Sequence, residues 1–433
     1  MKKLLAILAI TFASLPIFAD IYIPHRFVEV GVNVDAEAGE NMLGLTDIMV
    51  KDLVIDLPKI YKEMGPDGFV LSLNQGADVF FDVNINGYGA GVVVSEDISG
   101  SLNISSEFFK LLAEGNDMDT EVETSMGMNL EGYINAAVPI HMKFGKLKIT
   151  ATPSYFLPVF YIPNPNAKLT YIINSDGSAS ARLNADIDLY TAISLAGAIK
   201  TDEQGNIIFD QDGLGTQQEI IDNILVACSK NGGIDLGIRG EYPVLDQLDI
   251  GAYLNVPVYH GTLRNKLSAS AEFTVDMEPL LDYYLHPQEE GQNPWSFSDI
   301  NDIFSGLTAS SAEFHVNRPF RIGLEAAYRP FGNNMVTIHP MLGLAIRNPF
   351  GKDFSIDSII PEYKISADLS LAQILGLSIS TEYTNKVFSH ALDLFLNTRI
   401  VELKASIGTG SSNFFKSFSV SGLKASVGVS IGI

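Results

Sequence analysis

The chain has 433 residues, with 51 acidic against 28 basic side chains, a net charge of −23 and 46% apolar residues. That balance excludes nucleic-acid partners, which demand the opposite sign, and provides no positive run for docking on anionic lipid. The lone cysteine, Cys228, excludes a disulfide-stapled scaffold.

The first residues define the compartment. Lys2 and Lys3, the apolar stretch 4–12 and the small residues up to Ala19 read as a cleaved secretory signal peptide spanning 1–19, with Ile17 where a small residue is usual. The remainder, 20–433, reads as one barrel domain with helical insertions at 41–66 and 215–230. Near its start Val28, Val30, Val32 and Val34 alternate with Glu29, Gly31, Asn33 and Asp35, the period of a β-strand with one greasy face. Residues 46–64 carry a helical pattern that Pro58 should kink, and Ser105, Glu107 and the apolar 108–112 could begin another helix. Met126, Met128, Leu130 and Ile134 resume the period of two. The stretch 155–161 is rich in rings, but Pro153, Pro158 and Pro163 forbid a continuous ladder there, so the strand must bulge, kink or end.

A long connection is expected over 195–232. Its Asp210-Gln211-Asp212-Gly213 lacks the third oxygen position and the closing Glu of a calcium loop and reads as an acidic turn. Residues 216–229 read as a helix with Glu219 and Asp222 in its first turns. Alternation returns at 234–239 and 248–255, after a tight turn over 242–247. A loop is expected over 277–317, bearing the only tryptophan, Trp295, then strands at 320–329, 375–382 and 401–408. The last segment is the clearest: Leu423, Ala425, Val427, Val429, Ile431 and Ile433 alternate unbroken with Lys424, Ser426, Gly428, Ser430 and Gly432.

The second face of these strands holds charges of both signs with Gly, Ser and Asn. A water-filled lumen tolerates such a face, and apolar outer stripes of about ten residues suit tilted transmembrane strands. After the leader there is no run of the roughly 18 apolar residues a spanning helix needs, and a closed barrel is the other backbone that satisfies its hydrogen bonds inside a bilayer. The fold class is therefore all-β: a closed antiparallel transmembrane β-barrel of about fourteen strands, with sixteen as the alternative because single-chain barrels have even counts, and with short helical insertions. The helices would either enter the lumen as a plug or lid, or lie across one mouth or project outside.

Chemistry leaves few marks. His25, His141, His260, His286, His315, His339 and His390 are scattered without metal-ligand spacing, and no Gly-x-Ser-x-Gly elbow occurs. No enzyme activity and no cofactor are expected, and the residues nominate no catalytic, cofactor-binding, metal or substrate-binding site. The many Phe and Tyr residues suit membrane interfaces; only 155–161 invites a second reading, as rings lining a route for a greasy substrate.

The signal peptide, strand number, terminal strand and helical insertions resemble the FadL-type outer-membrane transporters of fatty acids and other hydrophobic compounds. The stretch Asn231-Gly232-Gly233-Ile234-Asp235-Leu236-Gly237, followed by Tyr242 and by 248–254, is similar to a motif of uncharacterised FadL-like proteins. The chain departs from that pattern in having a strand from about Arg26, which leaves no room for the family's N-terminal hatch and its Asn-Pro-Ala signature; any plug would come from 46–64. The resemblance implies an outer-membrane channel passing small hydrophobic molecules such as fatty acids through lumen or wall. The partners so implied are outer-membrane lipids, the barrel assembly machinery and the hydrophobic substrate. Two rival readings are a non-transporting display or adhesion barrel and a soluble periplasmic β-sandwich that would turn the apolar face into a core.

Overall fold

The structure, a computed structural model, describes residues 26–42, 57–64, 68–115, 117–163, 165–201, 207–209, 213, 215–277, 295–297, 304–347, 356–372, 374–419 and 421–433. The leader, the acidic turn at 210–212, His25, His286, most of 46–64 and the side chain of Trp295 lie outside the described residues.

One antiparallel sheet closes on itself. Its first three lanes are β1 (Val28–Glu40), β2 (Phe69–Ile85) and β3 (Tyr88–Ile104). The fourth is β4 (Val122–Ala137) continued by β5 (Ile140–Phe144), and the fifth is β6 (Leu147–Ile162) continued past Pro163 and Pro165 by β7 (Asn166–Ile173). The sixth is split between β8 (Ala179–Thr191) and β11 (Gly233–Leu245); the short hairpin β9 (Ile199–Thr201) and β10 (Ile207–Phe209) lies in the intervening chain. The seventh is β12 (Leu248–Tyr259) with β13 (Gly261–Met277), onto whose end β14 (Trp295–Phe297) pairs. The eighth is β15 (Phe304–Val316) with β16 (Phe320–Tyr328). Six unbroken strands follow: β17 (Val336–Ile346), β18 (Ile359–Leu371), β19 (Leu375–Thr384), β20 (Val387–Asn397), β21 (Val401–Ser411) and β22 (Gly422–Gly432).

β22 pairs with β1, Val30 opposite Ile431, and completes a ring of fourteen lanes. The fourth to eighth lanes are each built from two strands; the closed antiparallel all-β barrel expected from the sequence holds, with the alternative count of sixteen strands. The expected loop over 277–317 is corrected: 304–316 forms β15, paired with β13 from Ala271 opposite Phe304 to Gly261 opposite Val316. Its small polar residues hide the apolar period, so cross-strand pairing rather than pattern defines it.

The alternation sorts the two faces. Val30, Val32 and Val34 on β1, and Leu423, Val427, Val429 and Ile431 on β22, are all exposed, whereas Asp78, Ser95, Glu362, Ser366 and Glu402 are buried. Only a surrounding apolar solvent makes that inversion favourable, because each large aliphatic side chain gains roughly 1.5–3 kcal/mol on leaving water. The soluble sandwich is excluded by closure, since a second sheet has no face left to cover.

Glycines on the inner face let rings lie flat against the wall. A Cβ on Gly31 would sit 2.6 Å from the ring of Phe80, and Tyr253 lies over both Gly323 and Gly343 in the same way. Connections are short at one rim, as at Asn86-Gly87 and Asp246-Gln247, and long at the other. Near the long-loop rim α1 (Leu57–Met64) packs on α2 (Ser106–Glu114) through Met64, Phe109, Tyr61 and Phe108, against Phe69 and Ile104 at the strand ends. Among the described residues neither helix lines the lumen; most of 46–64, from which any plug would come, lies outside them. No described helix is long and apolar enough to cross a membrane, a statement that does not touch strands.

Candidate permeation pathway

The lumen holds a cavity of about 1370 Å³. Its lining includes thirteen carboxylates and eleven Lys or Arg side chains, nearly balanced against 51 and 28 in the whole chain. Most of the acidic excess therefore lies outside the cavity. The signs are also unevenly placed: Asp35, Glu37, Asp78, Asp82 and Asp97 stand on β1 to β3, while Arg318, Arg321, Arg329 and Arg347 stand on or beside β16 and β17.

Most charges pair with near neighbours on the wall. Arg239 Nε reaches Glu325 Oε1 at 2.6 Å, Arg329 Nη2 reaches Asp249 Oδ2 at 2.7 Å, and Arg321 Nε reaches Glu362 Oε1 at 3.2 Å. Glu382 takes both Lys424 and Lys364. His141 bridges Asp82 at 2.9 Å and Thr150 at 3.1 Å, and His339 contacts Asp368 at 3.0 Å. His141 and His339 are thus each held by one neighbouring carboxylate, and no group of three or more His, Cys, Asp or Glu side chains placed to hold a metal occurs among the described residues.

Two arginines behave differently, because they reach across the lumen. Arg318 sits where the eighth lane breaks between β15 and β16. Its Nη2 donates to Asp97 Oδ2 at 3.0 Å, five lanes away on β3, and its Nη1 donates to Asn135 Oδ1 at 2.7 Å and contacts Asp235 Oδ2 at 3.4 Å. The guanidinium lies 5.1 Å from the ring centre of Tyr133 and 5.4 Å from that of Phe156. Arg347, just past β17, likewise spans five lanes to Glu131 on β4 at 3.3 Å. These two chords subdivide the cavity. Arg318 and its partners are the more buried of the two, and breaking a desolvated pair costs far more than breaking an exposed one.

Beside the Arg318 chord rings gather. Tyr133 meets Phe156 edge-on at 5.9 Å, and Phe314 stacks on Tyr161 at 5.0 Å and on Tyr190 at 4.4 Å. The ring-rich stretch at 155–161 is therefore joined by partners from β4, β8 and β15. The bulge required by its prolines is present, between Gly132 and Tyr133 opposite Phe160 and Pro158.

Here the wall itself is discontinuous. β8 leaves the sixth lane at Thr191 and β11 enters it at Gly233, so Leu157 and Pro158 of β6 have no ladder partner from that lane. Leu157, Leu263 and Ala192, all buried, fill the breach. Helix α3 (Gln217–Asn231) covers it, contributing buried Ala227 with Ile224 and Cys228. Tyr155, in register with exposed Ile234 on the outer face, donates to the Cys228 carbonyl oxygen, and Arg264 Nε donates to Asn231 Oδ1 at 2.9 Å. The helix thus lies on the outside of the barrel. Burial pushes the Cys228 thiol up, which makes it less reactive. At the start of α3, Thr216 and Glu219 cap each other reciprocally, and the Thr216 donors hold the Glu219 carboxyl below its usual range. The capping Thr-x-x-Glu was legible in sequence; the breach, the two chords and the ring cluster were not, because their members come from lanes far apart in the chain.

An outward apolar belt, a closed hydrogen-bonded wall and a hollow, charge-lined interior define an outer-membrane-type β-barrel. Among solved structures the barrel is similar to the Pseudomonas putida toluene transporter TodX, with 8% identity, a TM-score of 0.44 and coverage of 95% of this chain and 91% of that one. It is also similar to the CymD monoaromatic hydrocarbon channel, at 9% identity and a TM-score of 0.41 over 95% and 89%. Both are FadL-type barrels, the type that the sequence resembles. The translocator domain of the autotransporter NalP from Neisseria meningitidis follows at 8% identity and a TM-score of 0.31, over 95% and 91%. No family model and no curated protein matches the chain.

Proposed function

We propose that the chain is an outer-membrane channel for small hydrophobic molecules, fatty acids among them, exported by the leader at 1–19 and inserted by the barrel assembly machinery as one domain, 20–433. The observation that carries this reading is the cluster of Tyr133, Phe156, Tyr161, Tyr190 and Phe314 beside the breach between β8 and β11. Of these rings only Tyr133 lines the cavity and Phe156 is fully buried behind it, so an apolar solute in the cavity reaches the cluster when side chains at Tyr133 move aside. Leu157 and Leu263 separate that cluster from α3 on the outside, so passage through the wall requires only side-chain and helix movement there. The protein acts by passage, and it needs no catalytic residue or cofactor.

The test is uptake by proteoliposomes of a labelled aromatic hydrocarbon and a labelled fatty acid, alongside planar-bilayer conductance. Faster uptake than through protein-free vesicles, reduced by Phe314→Ala and Tyr161→Ala, is expected. A barrel that passes neither solute nor ions would refute the channel and favour the display reading.

A further inference from the structure

On the outer wall, at the rim of the long loops, the chain after β21 does not rise away from the barrel. Residues 412–419 fold down onto β20 instead. On β20 the even residues Leu392 and Leu394 are exposed and the odd residues Val387, Ser389 and Ala391 are buried, so His390 lies on the lipid-facing side. A histidine there must find partners within the protein, since hydrocarbon offers none. It does so through Thr381 at 3.0 Å and Ser417 at 2.8 Å, which fastens the loop to the wall; Ser417 is completely buried.

The loop then turns its rings outward. Phe418 stacks on His390 at 3.9 Å and Phe414 meets Phe388 edge-on at 5.4 Å, yet Phe415 is 80% and Phe418 59% exposed. Tyr383 and Tyr363 extend the shelf along the same face, above exposed Ile365 and Ile379. Two lysines flank it: Lys416 within the loop, and Lys386 in the two-residue turn between β19 and β20. The fold thus assembles, from residues 30 positions apart, a positive edge that the strongly acidic chain shows nowhere as a run.

We propose that this shelf docks a phosphate-bearing acyl lipid of the surrounding leaflet, its chain lying over the rings and Ile365 and its phosphate held by Lys386 and Lys416. The site goes beyond the channel reading and does not depend on it: a barrel that passes no solute would still bind the lipid. Aromatic side chains favour the interfacial depth, and a lysine near an anionic headgroup strengthens binding roughly fivefold.

The test uses the full-length barrel in neutral detergent, with native mass spectrometry titrating phosphatidic acid against the diacylglycerol of the same chains. Phosphatidic acid should bind more tightly. Lys386→Gln with Lys416→Gln should erase that preference, by roughly fivefold per lysine, while leaving diacylglycerol unchanged. Phe415→Ala with Phe418→Ala should weaken both lipids, and Val92→Ala, exposed on β3 far round the wall, neither. Heat-modifiable gel migration reports folding, and the lysine pair, on surface turns, carries the test if the ring variant does not fold. Equal binding of the two lipids, a lysine variant that keeps the preference, or a second copy of the chain displaced by the ring variant would each overturn the proposal.

Discussion

Replacing Arg318 by Ala removes the side chain that crosses the lumen to Asp97 while also holding Asn135 and Asp235. Asp235 is 1% exposed and Asp97 less than one-third exposed, so two carboxylates lose their common cation in a place that water reaches poorly. Removing one partner of such a pair costs about 3–5 kcal/mol, and loss of the contacts with the Tyr133 and Phe156 rings adds roughly 1–2 kcal/mol. The barrel should remain heat-modifiable with a lowered unfolding midpoint. Single-channel conductance should rise, because one of the two chords across the cavity is gone. Adding Asp97→Asn and Asp235→Asn should restore much of the stability without restoring the obstruction. That separation is the decisive feature: an Arg318→Ala barrel that conducts as the parent does would show that the chord does not limit passage, whatever its effect on stability.

Other outcomes follow from the same geometry. Leu342, at mid-strand on β17 and 68% exposed, should cost about 2–4 kcal/mol when changed to Arg if it faces lipid, against a few tenths for an exposed site in water; unfolding in vesicles measures the difference, and a near-zero value would mean water on that face. Thr216→Ala should loosen α3 by about 1 kcal/mol through loss of its cap, read as faster amide exchange over 217–224. Because the Glu219 carboxyl is held below its usual range of about 4.3, its part in the cap is fully present above that pH and is lost as pH falls through the lower folded value. Exchange in α3 should therefore be insensitive to protonation of Glu219 between neutral pH and about 5 and quicken only in stronger acid, apart from the intrinsic pH dependence of exchange.

The sequence by itself determined the wall. A period of two, with Val30, Val32 and Val34 on one side and Gly31, Asn33 and Asp35 on the other, dictates strands with one face for lipid and one for a polar lumen, and the same pattern at 423–433 names the strand that closes on β1. These are local properties, written within a dozen consecutive residues. The helical pattern at 216–229 and its capping pair belong to the same category, and α3 occupies Gln217–Asn231. Only the tertiary structure decided that β8 and β11 share a lane, that the breach between them is covered from outside by α3, that Arg318 meets Asp97, and that the chain after β21 folds over His390. In each case the partners are separated by dozens to hundreds of residues. Whether two side chains meet across a closed barrel depends on the register and tilt of every lane between them, which no local pattern carries.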